Sequence, residues 1–495
     1  MSNIQRIPDE IWGQIFEGFE CTLPPSQWWM DRVLVSRTHR LTLASLCLVC
    51  QQFRRCAQPL LYKNLILEGA EPDNDTAFVR AIRELALHPK LGQNTRILTA
   101  ENNFGRSGND LRVDNEQLAS AINMMDLPPR FRQFLRSSHF DAGRISPASL
   151  CLLFTPNVQS LDITVGETPL LLSWILSGNL DLEKSSFLPK TSQDVEPGED
   201  ADYGFGYEDD QVVVRAYSNF GLPRLREVHL KHWSIVFTTP ITDIEAAFMH
   251  PGVEVMRMVG LDWRATHVPK RLWPGFTSNI RVLELTECIM DARGIEDMFQ
   301  LCPKLESLRI FLADSNRATE IQDADYEIKM DSVGVVLRKH GRSLVKLDLE
   351  TAEFGGYINR AIGSLQDLDN LRHLKIAQRD LVGYSTFYPF DPAVPHLVSV
   401  LPRSLETLYL HYDRLYMALA ADEYKRKGTN NEICELITSG EFPNLRAVKA
   451  ERYLEDSKPF EHSIDGWQSE IREEPLWKGP STGCRRVIIM VVSKI

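Results

Sequence analysis

The chain has 495 residues, 43% of them hydrophobic and 25% charged, so it carries enough apolar material to bury a large core. A formal net charge of −12 speaks against a general nucleic-acid binder, which shows a basic stripe. No window approaches about 18 consecutive apolar residues, so no membrane-spanning segment is expected. Asp9, Glu10 and Glu17 interrupt any secretory leader at the start, and the nine cysteines are then expected as reduced thiols in a cytoplasmic and/or nuclear protein.

The first organised stretch runs from Ile4 to Leu67. Pro8 suits the first turn of a helix, and Ile11, Ile15 and Phe16 follow as an apolar stripe on one helical face. A second cluster holds Leu41, Leu43, Ala44, Leu46, Leu48 and Val49, and a third holds Phe53, Ala57, Leu60, Leu61 and Tyr62. Three helices this apolar leave one face to cover a partner. Cys47-Leu48-Val49-Cys50 has redox or zinc spacing but no second Cys/His pair, and reads as buried packing inside a helix.

Ile7-Pro8-x-Glu10-Ile11-x-x-x-Ile15-Phe16, then Leu43 to Cys50 with Phe53-Arg54, then Ala57-x-Pro59-Leu60-Leu61-Tyr62, resembles an F-box of the fungal kind over residues 1–67. Ile7 stands where the family has leucine, and residues 20–40 form an insertion where it has a short loop. The resemblance implies a small all-α module that docks the Skp-type adaptor, and through it a cullin, in an SCF ubiquitin ligase. Carried over position by position, it implies adaptor contacts from Pro8, Ile11, Ile15, Phe16, Leu46, Val49, Cys50, Phe53 and Leu60. One alternative is a helical cap on the following domain that binds no adaptor; another is a protein-interaction scaffold whose F-box is not used for ubiquitylation.

Beyond residue 68 one pattern recurs: apolar, two others, apolar, one other, apolar. It is seen at Val158, Leu225, Val253, Ile280, Leu305, Leu344, Leu371, Leu405 and Leu445, with degenerate copies at Thr95 and Cys484. The period-2 ending marks a short strand, and helical spacing follows at Asp243–Met249, Ile295–Leu301, Tyr326–Lys339 and Glu432–Ile437. Pro223, Pro303, Pro402 and Pro443 sit just before the pattern's first apolar residue, while Gly341 and Gly440 stand where helix C-caps fall. One strand and one helix per unit is the grammar of a leucine-rich-repeat solenoid, whose units bury their cores only by stacking. Leu283-x-Leu285-x-x-Cys288, Gly294-Ile295 and Cys302-Pro303-x-Leu305 resemble the cysteine-containing leucine-rich repeat. That resemblance implies an irregular, ribonuclease-inhibitor-like α/β arc over residues 68–495. Residues 190–214 hold eight acidic and no basic side chains between Asp194 and Asp210, and read as a disordered acidic loop. The ending Ser493-Lys494-Ile495 misses a peroxisomal signal at its last residue, and Val487 to Val492 reads as a buried final strand.

No Gly-rich phosphate loop, His-Glu-x-x-His or Gly-x-Ser-x-Gly is present, so no enzyme, metal or cofactor is expected. The side chain between the last two apolar residues of each pattern must point away from the core. That row reads Asp162, His229, Arg257, Glu284, Arg309, Asp348, Lys375, Tyr409 and Lys449, with Lys231, Phe311, Glu350 and His411 one step further along. The expected concave-face contacts to an unidentified protein substrate are Arg257, Arg309, Phe311, Lys375 and Tyr409.

Overall fold

The computed structural model describes residues 7–20, 29–68, 77–101, 147–165, 170–176, 221–232, 236–271, 275–313, 328–351, 361–383, 395–411, 419–452, 460–477 and 484–495, with 120, 123–125 and 127. The acidic segment 190–214 lies outside them, as do residues 21–28 of the expected insertion. The chain divides into two units, Met1–Trp233 and Ser234–Ile495.

The first unit opens with helices Asp9–Glu17, Trp29–Val49 and Gln51–Lys63. The insertion is therefore not all loop, because the second helix reaches back to Trp29. That helix ends at Val49, and Cys50 caps the next one, its Sγ accepting the Phe53 N–H at 3.4 Å. Cys50 is thus exposed, contrary to the expected burial of both cysteines of the pair. Four parallel strands follow: β1 (Asn64–Glu68), β2 (Ile97–Glu101), β3 (Ser160–Val165) and β4 (Glu227–His232). The degenerate copy at Thr95 is a true strand, with Leu98 and Ala100 fully buried. β1 begins on the residue after the third helix, so sheet and helices share one backbone joint.

In the second unit β5 (Thr239–Pro240), β6 (Val255–Val259), β7 (Leu261–Trp263), β8 (Val282–Met290) and β9 (Ser307–Leu312) are followed by β10 (Lys346–Glu350), β11 (His373–Ala377), β12 (Thr407–His411) and β13 (Ala447–Arg452). β6 and β8 to β13 form one parallel sheet, with β5 and β7 a short side ribbon on the far end of β8. The sheet closes with β15 (Cys484–Lys494), antiparallel to β13, and β14 (Trp467–Trp477), antiparallel to β15. The copy at Cys484 is therefore not a repeat, because its strand runs against the others. The buried final strand is observed, with Ile489, Met490, Val491 and Val492 all enclosed.

The recurring apolar positions explain this sheet. Leu283, Leu308, Leu347, Leu374 and Leu408 lie side by side and are each at most 1% exposed. Full burial of such a side chain contributes roughly 1.5–3 kcal/mol. Several strands are entered through the same turn: the Leu225, Leu305 and Leu445 N–H groups donate to Leu222, Cys302 and Phe442 carbonyls at 2.9, 3.2 and 3.1 Å. Pro223, Pro303 and Pro443 occupy the second position of these turns, where a φ near −65° is already set. The helices Ile241–Met249, Ala292–Leu301 and Met330–His340 match the expected ones closely. Gly440 adopts φ +71°, as a glycine C-cap does, whereas Gly341 has φ −81° and needs no such freedom. Gly294 has a different reason for being glycine, since a Cβ there would run into the Trp263 carbonyl.

Candidate protein-binding surfaces

The three N-terminal helices pack around Phe16, Leu43 and Ala57, with Trp12, Leu46, Phe53, Leu60 and Leu61 against them. Trp12 and Phe53 ring centroids lie 4.5 Å apart, and Phe16 meets Phe53 edge-on at 5.1 Å. Gln52 ties the first helix to the third by donating to the Ile7 carbonyl at 2.8 Å and to Asp9 Oδ1 at 2.9 Å, beside an Asp9–Arg55 ion pair of 3.1 Å. The Arg40 guanidinium reaches the Ile66 carbonyl of β1 at 2.8 Å, so the bundle is also fastened to the sheet. Of the expected adaptor contacts, Phe16 is interior at 2% exposed, and Leu46, Phe53 and Leu60 are half-buried against it. These four shape the bundle more than its surface. Pro8, Ile11, Ile15, Val49 and Cys50 are exposed, and Leu41 and Leu48 join them as uncovered apolar side chains.

The expected front row is in register. Asp162 pairs with His229, and separately Arg257, Glu284, Arg309, Asp348, Lys375, Tyr409 and Lys449 occupy one line across their strands. The row is bound sideways by charge: Lys231 Nζ lies 2.9 Å from Asp162, and Arg257 Nε 3.2 Å from Glu284 Oε2. Asp348 is the hub of the second unit. Its Oδ1 lies 3.2 Å from His411 Nε2, and its Oδ2 lies 3.6 Å from Arg309 and 3.7 Å from Lys375. His411 Nδ1 meets Glu451 at 3.1 Å, and the Tyr409 hydroxyl donates to the same carboxylate at 2.9 Å.

Two of the expected contacts are not available as solvent-exposed anchors. Tyr409 is 7% exposed because Val487, Ile489 and Val491 of β15 pack against it. Phe311 is 6% exposed, since alternation ends there and β9 is buried on both faces from Ile310 onward. The neighbouring strand carries a register shift between Leu285 and Cys288, with Glu287 at φ +49°, so the ladder is already irregular at this level. Arg257, Arg309 and Lys375 remain accessible, Lys375 most of all with its ammonium 5.0 Å over the Tyr409 ring.

Burial alone pulls the His411 pKa down, but hydrogen bonds to Asp348 and Glu451 and the charge of Glu350 outweigh it and push it up to about 9. Burial raises the Asp348 carboxyl too, yet His411, Arg309 and Lys375 hold it well below the usual carboxylate range. His411 therefore contributes stability that is fully present below its unfolded pKa of about 6.5 and is lost as pH rises through about 9. Wild type is expected to lose on the order of 3 kcal/mol between pH 6 and pH 10 through this group. His411→Gln should flatten that part of the profile, and identical alkaline profiles in urea melts would contradict it.

Three residue groups went unseen in the sequence. Arg271, 6% exposed, sits between Glu245 Oε1 at 3.0 Å and Asp297 Oδ1 at 2.7 Å, while Trp263 Nε1 donates to Asp297 Oδ2 at 2.9 Å. Asp262 gathers Arg264 and His267 in the same region. Among the described residues the group with metal-ligand geometry is His396, Glu432 and Glu435. The imidazole Nδ1 lies 2.8 Å from Glu432 and 3.1 Å from Glu435, and the Leu397 N–H donates to the second Glu432 oxygen. Among the described residues no helix is long and apolar enough to cross a membrane.

No curated protein matches the chain. Residues 217–418, which cover β4 to β12, match the family model of a leucine-rich repeat domain, a type of domain that binds protein partners.

Proposed function

We propose that this chain is the substrate-receptor subunit of an SCF-type ubiquitin ligase, with the N-terminal helices docking a Skp-type adaptor and the repeat sheet holding a target protein. The observation that carries this reading is the uncovered apolar set Ile11, Ile15, Leu48 and Val49 on a bundle whose core is otherwise closed. Apolar side chains so exposed on a packed module mark a place where another protein sits. Their match to F-box positions names the partner class, and the tie from Arg40 to the Ile66 carbonyl fastens the bundle to β1. In this reading the chain performs no chemistry. It supplies proximity for transfer catalysed by other subunits, in the cytoplasm or nucleus.

The test is capture of the full chain by purified Skp-type adaptor. Ile11→Asp and Leu48→Asp change exposed positions, so circular dichroism and melting temperature should move little, within about 0.5 kcal/mol. Each is expected to weaken adaptor binding at least tenfold, while Phe53→Ala should act by destabilising the bundle, by less than the roughly 3–5 kcal/mol of a fully buried phenylalanine. Unchanged capture by the folded Ile11→Asp variant would favour an interaction scaffold instead.

A further inference from the structure

Across β6, β8, β9, β10 and β11 the front row reads Arg257, Glu284, Arg309, Asp348, Lys375, with each residue in register with the next. The sign of charge therefore alternates at every strand. Strands in a sheet lie about 4.8 Å apart, so like charges recur about every 9.6 Å along the row. The pairing is uneven. Both ring nitrogens of His411 face carboxylate oxygens, at 3.2 and 3.1 Å, which only the doubly protonated imidazolium can satisfy. Asp348 takes its hydrogen bond from His411, and Arg309 and Lys375 stand 3.6 and 3.7 Å away, beyond hydrogen-bond distance. Those two cations are the exposed members of their pairs, with side chains 24% and 37% exposed, so an incoming acid can reach them while Asp348 stays enclosed.

A partner laid across the strands must present charges in steps of about 4.8 Å. An extended segment shows same-face side chains about 6.7 Å apart and falls out of phase within two strands. A helix shows them at i, i+3 and i+7, or about 4.5 and 10.5 Å along its axis, and stays in phase over three strands. A polyanion is a poor match, since Glu284 interrupts the cations. We infer that this row receives an α-helical segment of a protein partner that places acid, base and acid at i, i+3 and i+7 over Arg257, Glu284 and Arg309, with a further acid over Lys375. The inference rests on the receptor reading above and specifies the class of element recognised.

The test uses the purified full chain and two fluorescein-labelled, alanine-based helical peptides of about 20 residues, long enough to be helical in water. Both have the same composition. One carries the alternating Glu/Lys/Glu pattern and the other carries its charges in blocks. At low salt, where such contacts are least screened, the alternating peptide should bind at least tenfold tighter by anisotropy. The exchange Arg257→Glu with Glu284→Arg preserves the internal ion pair, so the melting temperature should hold, while the preference should turn toward a Lys/Glu/Glu peptide, because Arg309 still calls for an acid. Equal binding of both peptides, a preference that survives the exchange, undiminished binding of a proline-broken alternating peptide, or tighter binding of poly-glutamate would each overturn the inference. Adaptor capture is measured in parallel. Intact capture without peptide preference sinks this inference alone, and lost capture with the preference intact sinks the ligase reading alone.

Discussion

Replacing Arg271 by Met is expected to destabilise the second unit by about 3–5 kcal/mol, the cost of leaving a buried ion pair half made. The guanidinium is enclosed with Glu245, 1% exposed, and Asp297, 6% exposed, and the methionine leaves both carboxylates without it. Neutralising them as well, with Glu245→Gln and Asp297→Asn, should recover most of the loss, since a neutral buried amide carries a far smaller desolvation penalty than a charge. Urea denaturation of the single and triple variants checks this. A single variant within about 1 kcal/mol of wild type would show that the network is not what locks these helices together.

Ending the chain after residue 483 should have the largest effect of any change considered. β15 is paired on both sides, and it buries Ile489, Met490, Val491 and Val492 while covering Tyr409. Four such side chains represent about 6–12 kcal/mol as an upper estimate, comparable with the whole stability of a domain. The truncated chain is expected to lose its cooperative melt and to become sensitive to protease from β12 onward. Ile489→Ala, at about 2–5 kcal/mol, is the graded form of the same experiment. A truncated chain that melts like the full one would contradict the role given to this strand.

The repeating part of the fold was legible because it is written in local terms. Leu283-x-Leu285 and Leu308-x-Ile310 announce strands by alternation, and Pro303 before the second announces a turn, without reference to distant residues. The register of the front row followed from the same alternation. What alternation cannot say is which strand a given one pairs with. Val487 to Val492 read as a buried strand, yet its antiparallel entry beside β13, and with it the covering of Tyr409, depends on a contact between segments far apart in sequence. The Arg271 network escaped for a related reason: Glu245, Arg271 and Asp297 come from different repeats and have no shared spacing. In the N-terminal helices the motif supplied identities without depth, so Phe16 and Ile15, adjacent in the motif, divide into core and surface only when the helices are packed.

The most direct test of the receptor account is hydrogen exchange on the full chain with and without a Skp-type adaptor. The account predicts slowed exchange confined to Asp9–Glu17 and to residues 41–54, around Ile11, Ile15, Leu48 and Val49, with the strands β6 to β13 unchanged. No complex, or protection that falls on the sheet and leaves those helices unaltered, would contradict it.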